Sequence, residues 1–141
     1  MAGRDAVPTT TAGVAEVYDL HEIKDFGADK LVRKKLFKTK QLWSEIACYE
    51  PGQATVMHSH PYEEETIFVL EGQANMIIDG VEIVVPAGAV VRFPAAVQHD
   101  VRNLQDERLV IMFSKLPVRL AKYQRREDGQ LQSADFIYIK S

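Results

Sequence analysis

The chain has 141 residues, of which 46% are hydrophobic and 26% are charged, and its formal net charge is −3. This length and composition are typical of a single soluble domain with one core, and the slight negative charge argues against general binding to nucleic acid or to an acidic membrane. The single cysteine excludes an intramolecular disulfide, and no signal-peptide core or transmembrane run is recognisable, so we expect a cytoplasmic protein.

The N-terminal region divides by composition into three parts. Residues 1–13 are rich in Thr, Ala, Gly and Pro, which predicts a flexible end. Residues 14–26 are consistent with a short edge strand, and we interpret His21 within them as an exposed surface residue. Residues 30–40 contain six Lys or Arg and no acid. Such a run can bind phosphates, but it is more often a solvated or edge-protecting face, which is the interpretation we favour.

Residues 41–49 alternate in a pattern typical of a β-strand. Its two faces are Leu42, Ser44, Ile46 and Cys48 against Trp43, Glu45, Ala47 and Tyr49. We expect Cys48 to be half-buried and to behave as a small hydrophobic residue. A Glu-Pro-Gly turn at residues 50–52 ends the strand.

Two histidines follow this turn at positions i and i+2. On an extended strand, His58 and His60 point to the same face with Cα atoms about 6.6–7 Å apart, so their rings can converge on one cation. Pro61 cannot donate to a β-ladder, which predicts the end of that strand. The next strand, at residues 65–70, starts with Glu65 on an otherwise apolar face. These residues indicate a metal site, although an accidental His-x-His pair beside a solvated acidic loop is the simpler alternative.

Short strands separated by Gly and Pro turns fill the rest of the central region. They are predicted at residues 73–78, 82–85, 90–93 and 108–114. Asp79 and Gly80 form a hairpin turn pair, and the apolar run at 108–114 predicts a strand buried on both faces. This pattern favours an antiparallel sandwich or barrel over an α/β fold. His99 follows a corner at residues 94–96 and adds a third imidazole to the candidate metal site.

The first of these two segments resembles the first cupin motif in full. It reads Gly52, five residues, His58, one residue, His60, four residues, Glu65, six residues and Gly72.

The second segment resembles the second cupin motif with one departure. It reads Gly88, five residues, Pro94, one residue, Ala96, two residues, His99, three residues and Asn103. The family pattern has glycine where this chain has Ala96. Glycine tolerates positive φ and alanine does not, so the departure concerns the backbone of the corner and removes no ligand.

The resemblance implies an all-β fold, a double-stranded β-helix or jelly-roll barrel, over residues 14–115, with residues 116–141 as a C-terminal extension. It also implies one divalent metal ion per chain, held by three histidines and one glutamate. These ligands are His58, His60, Glu65 and His99. If the ion is six-coordinate, two positions stay open for substrate or water. This favours Mn or Fe, while Zn, Ni and Co are also compatible.

Three kinds of function are compatible with this resemblance. The first, which we favour, is a small metal-dependent enzyme acting on a small organic acid, carbonyl or polyketide-like metabolite by oxygenase, decarboxylase, isomerase or lyase chemistry. The second is a non-catalytic cupin that binds or senses a small ligand. The third is a structural barrel with vestigial histidines, against which the retention of all four ligands argues.

Candidates for catalysis and for the substrate wall lie beside the ligands in sequence. Arg92 is a candidate for pairing with a substrate carboxylate or for catalysis, with an outward salt bridge as the alternative. Tyr62 is a candidate for gating the site or donating a proton, with simple packing as the alternative. The remaining substrate-binding candidates are Phe68, Gln98 and Met112. Parity alone does not say which of these side chains point inward.

The C-terminal extension contains a segment that is a candidate for pairing with a second subunit. Residues 116–126 favour a basic helix or an extended wrap, and residues 136–139 predict a late strand. Such a strand either caps the barrel or pairs with a second subunit, and we expect a homodimer. The expected partners are therefore a small-molecule substrate and a second copy of the chain, without nucleic acid or membrane.

Overall fold

The computed structural model describes residues 13–117, which form eight β-strands and one short helix. The elements are α1 (Leu20–Ile23), β1 (Val32–Lys38), β2 (Trp43–Tyr49), β3 (Glu63–Glu71), β4 (Gln73–Ile78), β5 (Val81–Pro86), β6 (Val90–Phe93), β7 (His99–Arg102) and β8 (Leu109–Pro117). The predicted all-β class is confirmed. The flexible end predicted at residues 1–13 falls outside the described part except for Gly13, and the extension falls outside it beyond Pro117.

Two antiparallel sheets face each other around one core, as a double-stranded β-helix requires. The larger sheet has the strand order β1-β2-β8-β3-β6, and the smaller has the order β5-β4-β7. The core between them takes Ile67 and Ile111 from the larger sheet and Met76 and Val101 from the smaller one. Asp79 and Gly80 both have positive φ, as expected for the tight hairpin between β4 and β5.

The strand expected within residues 14–26 is wrong, because this segment contains α1 instead. The carboxylate of Asp19 accepts a hydrogen bond from the backbone N–H of His21 at 2.9 Å, which caps the helix. His21 is exposed, as expected. The segment packs over the outer face of the larger sheet through Leu20 and Ile23.

The outer face of the larger sheet is a second apolar cluster. It is formed by Leu36, Ile46, Cys48 and Val110. Cys48 is only 1% exposed, so the expectation of a half-buried thiol is wrong in degree. Burial raises the pKa of the Cys48 thiol, which therefore stays protonated and packs as a small hydrophobic group.

The basic run forms an edge strand, in agreement with the interpretation favoured above. Strand β1 pairs only with β2 within the described residues. Lys34 and Lys35 are exposed on it, and Leu36 turns into the outer cluster at a register shift. Arg33 is also exposed, with 47% of its side chain accessible, and it additionally lines the cavity of the barrel.

No helix in the part of the chain that the structure describes is long and apolar enough to cross a membrane.

Candidate metal centre

The backbone brings the two histidine-bearing segments directly together. His58 and His99 exchange both backbone hydrogen bonds, with N···O distances of 3.0 and 2.8 Å. They therefore form an opposed antiparallel pair, and their ring centroids lie 4.5 Å apart. Two residues far apart in sequence are thus placed side by side by a local β-bridge. Their side chains then share one face.

His60 is held by the corner that precedes β7. The backbone N–H of Ala96 donates to the carbonyl of His60 at 2.9 Å. Ala96 has φ +68°, so the left-handed conformation expected of the motif glycine is kept although the residue is alanine. The departure from the motif thus costs strain and leaves the shape of the corner intact.

Glu65 enters the site from β3. Its side chain and those of Ile67 and Val69 are buried on the same face of the strand. One ligand atom from each of His58, His60, Glu65 and His99 lies within 4.8 Å of the others. This spread is close to twice the usual bond length of about 2.0–2.2 Å between a divalent ion and a nitrogen or oxygen ligand.

Hydrogen bonds to backbone carbonyls orient two of the three imidazoles. Nδ1 of His58 lies 2.5 Å from the carbonyl oxygen of Val56, and Nδ1 of His99 lies 3.1 Å from that of Val97. A carbonyl only accepts, so each Nδ1 carries the proton and donates it. The Nε2 lone pairs of both rings are therefore free for a metal ion.

Two buried acceptor atoms face each other in the site. Nε2 of His99 lies 2.8 Å from Oε2 of Glu65, yet the two atoms are not aligned for a hydrogen bond. Nε2 of His60 is also buried without a hydrogen-bond partner among residues 13–117. Buried lone pairs that face one another are destabilising unless a cation lies between them. The donor set therefore fits a divalent ion.

Electrostatics keep His60 in the form that binds metal. Burial lowers the pKa of its imidazole below the ordinary value and outweighs the opposing effect of the Glu65 carboxylate. The ring is therefore neutral at neutral pH. His99 is in turn stacked on the buried ring of Phe93, with centroids 4.2 Å apart, which fixes its plane.

A family comparison agrees with this geometry. The Cupin_2 family, described as the cupin domain, matches residues 45–115, about half of the chain. The chain belongs to the cupin family.

This cupin is similar in sequence to a curated protein and in structure to two solved proteins. Polyketide synthase CurC of Streptomyces cyaneus is 32% identical over 73 residues, which cover 52% of this chain and 47% of that protein. This cupin thus spans about half the length of that relative. TT1209 from Thermus thermophilus has a TM-score of 0.70 and 22% identity, covering 73% of this chain and 98% of that one. An RmlC-like cupin from Desulfovibrio desulfuricans has a TM-score of 0.67 and 26% identity, covering 74% and 98%.

The barrel interior of this cupin contains a small cavity of about 40 Å³ beside the four candidate ligands. It opens towards a wider groove of about 1170 Å³, and Arg33, His58 and Lys115 line both spaces. Tyr49 lines the inner cavity. Burial raises the pKa of Tyr49, so its hydroxyl remains protonated and available as a donor.

Sequence reasoning missed Arg33, Tyr49 and Lys115. The strand alternation did contain a signal for Tyr49, which lies on the same face as Glu45 and Ala47. For Arg33, the interpretation of the basic run as a solvated face concealed a half-exposed side chain that also lines the inner cavity.

The structure does not bring most of the expected substrate-wall residues to the site. Phe68 lies on the face of β3 opposite to Glu65, and Met112 is its cross-strand partner in the outer cluster. Gln98 is exposed. Strand pleating explains the first two placements, because neighbouring residues alternate between the faces of a sheet.

Arg92 and Tyr62 also lie away from the cavity. Arg92 forms an outward ion pair with Glu64, with an N···O distance of 2.7 Å, which is the alternative considered for it. Tyr62 is 72% exposed in the turn before β3. Neither side chain lines the inner cavity.

Proposed function

We propose that this cupin is a metal-dependent enzyme acting on a small organic acid, carbonyl or polyketide-like metabolite. The chemistry would be of the oxygenase, decarboxylase, isomerase or lyase type. The observation that carries the proposal is the convergence of three imidazoles and one carboxylate on a point where buried lone pairs face each other. The similarity to a Streptomyces protein named as a polyketide synthase supports the polyketide-like class.

In this proposal His58, His60, Glu65 and His99 hold one divalent ion per chain. We favour Mn or Fe, and Zn, Ni and Co also suit this donor set. A bound ion of this kind supplies Lewis-acid chemistry, polarising a carbonyl or carboxylate oxygen of the substrate.

In this proposal the remaining groups of the cavity bind and orient the substrate. Ile67, Ile111 and Phe113 form apolar walls that exclude water. The protonated hydroxyl of Tyr49 can donate a hydrogen bond to a substrate oxygen. Arg33 and Lys115 add positive charge at the side facing the groove.

A second candidate function is non-catalytic binding of a small ligand, and the composition of the inner cavity favours it. Among the described residues that line this cavity, Glu65 is the sole carboxylate. A general base separate from the metal ligands is therefore not evident there.

Metal content per chain tests the proposal. The full chain is purified without a His-tag or chelator and compared with a His58→Ala, His60→Ala double variant by elemental analysis. His21→Ala is the matched control, because His21 is exposed and lies outside the site. We expect near-stoichiometric metal in the wild type and the control, and its loss in the double variant.

The outcomes separate the candidates. Mn or Fe directs assays to oxygen consumption and to lyase or decarboxylase turnover. Ligand binding without turnover would favour the non-catalytic cupin. Absence of metal from the wild type, even after reconstitution with each candidate ion, would contradict the metal site.

We also propose that the protein acts as a cytoplasmic homodimer. The late strand predicted at residues 136–139 supports the dimer as an exchange element. Light scattering of the full chain checks it, and a monomeric mass at micromolar concentration would contradict it.

A further inference from the structure

Lys115 occupies an unusual position on the inner face of β8. The preceding inward positions of this strand are the buried residues Leu109, Ile111 and Phe113. Lys115 continues this row and lies opposite Glu65 on β3 and opposite Trp43 on β2. A cation is therefore placed at the end of an apolar row, next to a candidate metal ligand.

The ammonium group of Lys115 has no carboxylate within ion-pair distance among residues 13–117. Its contacts are with aromatic rings, since Nζ lies 5.6 Å from the ring centroid of Phe113 and 5.8 Å from that of Trp43. The adjacent Glu65 carboxylate instead faces the imidazoles of His60 and His99. Lys115 is thus a cation that lines a cavity without a neutralising partner in the described chain.

Arg33 approaches the same aromatic ring from β1. Its guanidinium carbon lies 5.3 Å from the ring centroid of Phe113. Nε of Arg33 lies 3.3 Å from Oε1 of the buried Glu45, which also accepts a hydrogen bond from the indole of Trp43. The terminal guanidinium nitrogens have no hydrogen-bond partner within the described residues. They remain available for a bound anion.

The local charge is therefore unbalanced. Arg33 and Lys115 carry two positive charges here, and Lys35 and Lys38 add two more over the ring of Trp43. They are opposed by the negative charges of Glu45 and Glu65, which leaves two net positive charges beside the inner cavity and the groove. The neighbouring rings of Trp43 and Phe113 provide flat apolar surfaces beside them. A carboxylate satisfies the charge and the planar guanidinium donors, and an attached unsaturated ring fits the aromatic surfaces.

We propose that Arg33 and Lys115 bind the carboxylate of a planar, unsaturated or aromatic acid whose ring contacts Trp43 and Phe113. This inference rests on the proposed function and narrows its substrate class. The bound acid lies between the groove and the four-ligand cluster, so that its far side faces the metal centre.

Binding of benzoate to the metal-free full chain tests this proposal. Trp43 is the single tryptophan, so its fluorescence reports on the site directly, and calorimetry provides a second measurement. Benzamide is the uncharged matched probe. We expect saturable benzoate binding that Lys115→Gln and Arg33→Gln each weaken about tenfold, the loss of one charge-assisted contact.

The control variant is Lys40→Gln, which makes the same change of charge at an exposed turn residue. It should bind benzoate as the wild type does, and benzamide should bind more weakly to every variant that folds. Thermal unfolding verifies folding, and if Arg33→Gln fails to fold, Lys115→Gln carries the test. Equal affinity for benzoate and benzamide, unchanged binding in Lys115→Gln, or no benzoate binding to the wild type would each overturn the proposal.

The metal-free condition separates this test from that of the proposed function. Lys115→Gln should lose benzoate affinity and keep the metal content of the wild type, since Lys115 is not a member of the four-residue cluster. Retained metal with absent benzoate binding in the wild type would refute the anion site alone.

Discussion

The inner and outer faces of the larger sheet are both buried and largely apolar, but they differ in what they pack against. The inner face, with Ala47 and Ile111, encloses the candidate metal centre together with the smaller sheet. The outer face, with Ile46 and Val110, is covered by the segment around α1. Hydrophobic pattern alone therefore cannot distinguish the face that surrounds a site from the face that only stabilises the fold.

Charged residues next to the cavity make the distinction, since the outer face also buries the polar Ser44. On the inner face, Glu45, Glu65 and Lys115 interrupt the apolar rows next to the cavity. On the outer face of the same strands, Cys48 and Met112 pack as apolar groups. Because a buried charge is costly unless it has a partner, charges on one face of an otherwise apolar sheet indicate the functional side.

The largest expected effect comes from truncating one isoleucine on each face. Ile111→Ala and Ile46→Ala should each lower the free energy of unfolding by about 2–5 kcal/mol, because both side chains are at most 2% exposed. Only Ile111→Ala should also change benzoate affinity, since Ile111 lines the cavity. Urea unfolding measures the change in stability, and fluorescence titration measures the change in benzoate affinity. An equal change of affinity in Ile46→Ala would show that the inner face has no special role in binding.

Two arginines on opposite faces give an intermediate effect. Arg33→Gln leaves the buried Glu45 without its cationic partner and should cost about 1–3 kcal/mol. Arg92→Gln removes an outward ion pair and should cost at most about 1 kcal/mol. Thermal and urea unfolding compare the two variants. A larger loss in Arg92→Gln would show that the outward pair matters more to the fold than the inward one.

The smallest effect concerns the corner that leads to the inward-facing His99. Ala96→Gly should raise the free energy of unfolding by about 0.5–1 kcal/mol, because relief of the left-handed strain exceeds the entropy that glycine loses on folding. Metal content should stay unchanged. A lower midpoint of thermal unfolding would mean that the alanine methyl group contributes more packing than its strain costs.

The alternation of side chains along β3 already predicts that one of the expected substrate-binding residues, Phe68, lies outside the cavity. Glu65 and Phe68 are separated by three positions, so they must point to opposite faces of a regular strand. Choosing Glu65 as a ligand therefore placed Phe68 outside the cavity. Met112 was different, because its placement depends on pairing opposite Phe68 across β3 and β8. That register is not visible in either strand alone.

The amino-acid sequence by itself determined the types of the candidate ligands, the strand alternation and the turns, because each depends on residues a few positions apart. It therefore predicted the all-β fold and the set of His58, His60, Glu65 and His99. Only the tertiary structure decided which faces turn inward and which distant residues meet there, such as Lys115 opposite Glu65 and Arg33 beside Phe113. These contacts depend on pairing between strands far apart in the chain, and local periodicity carries no information about their register.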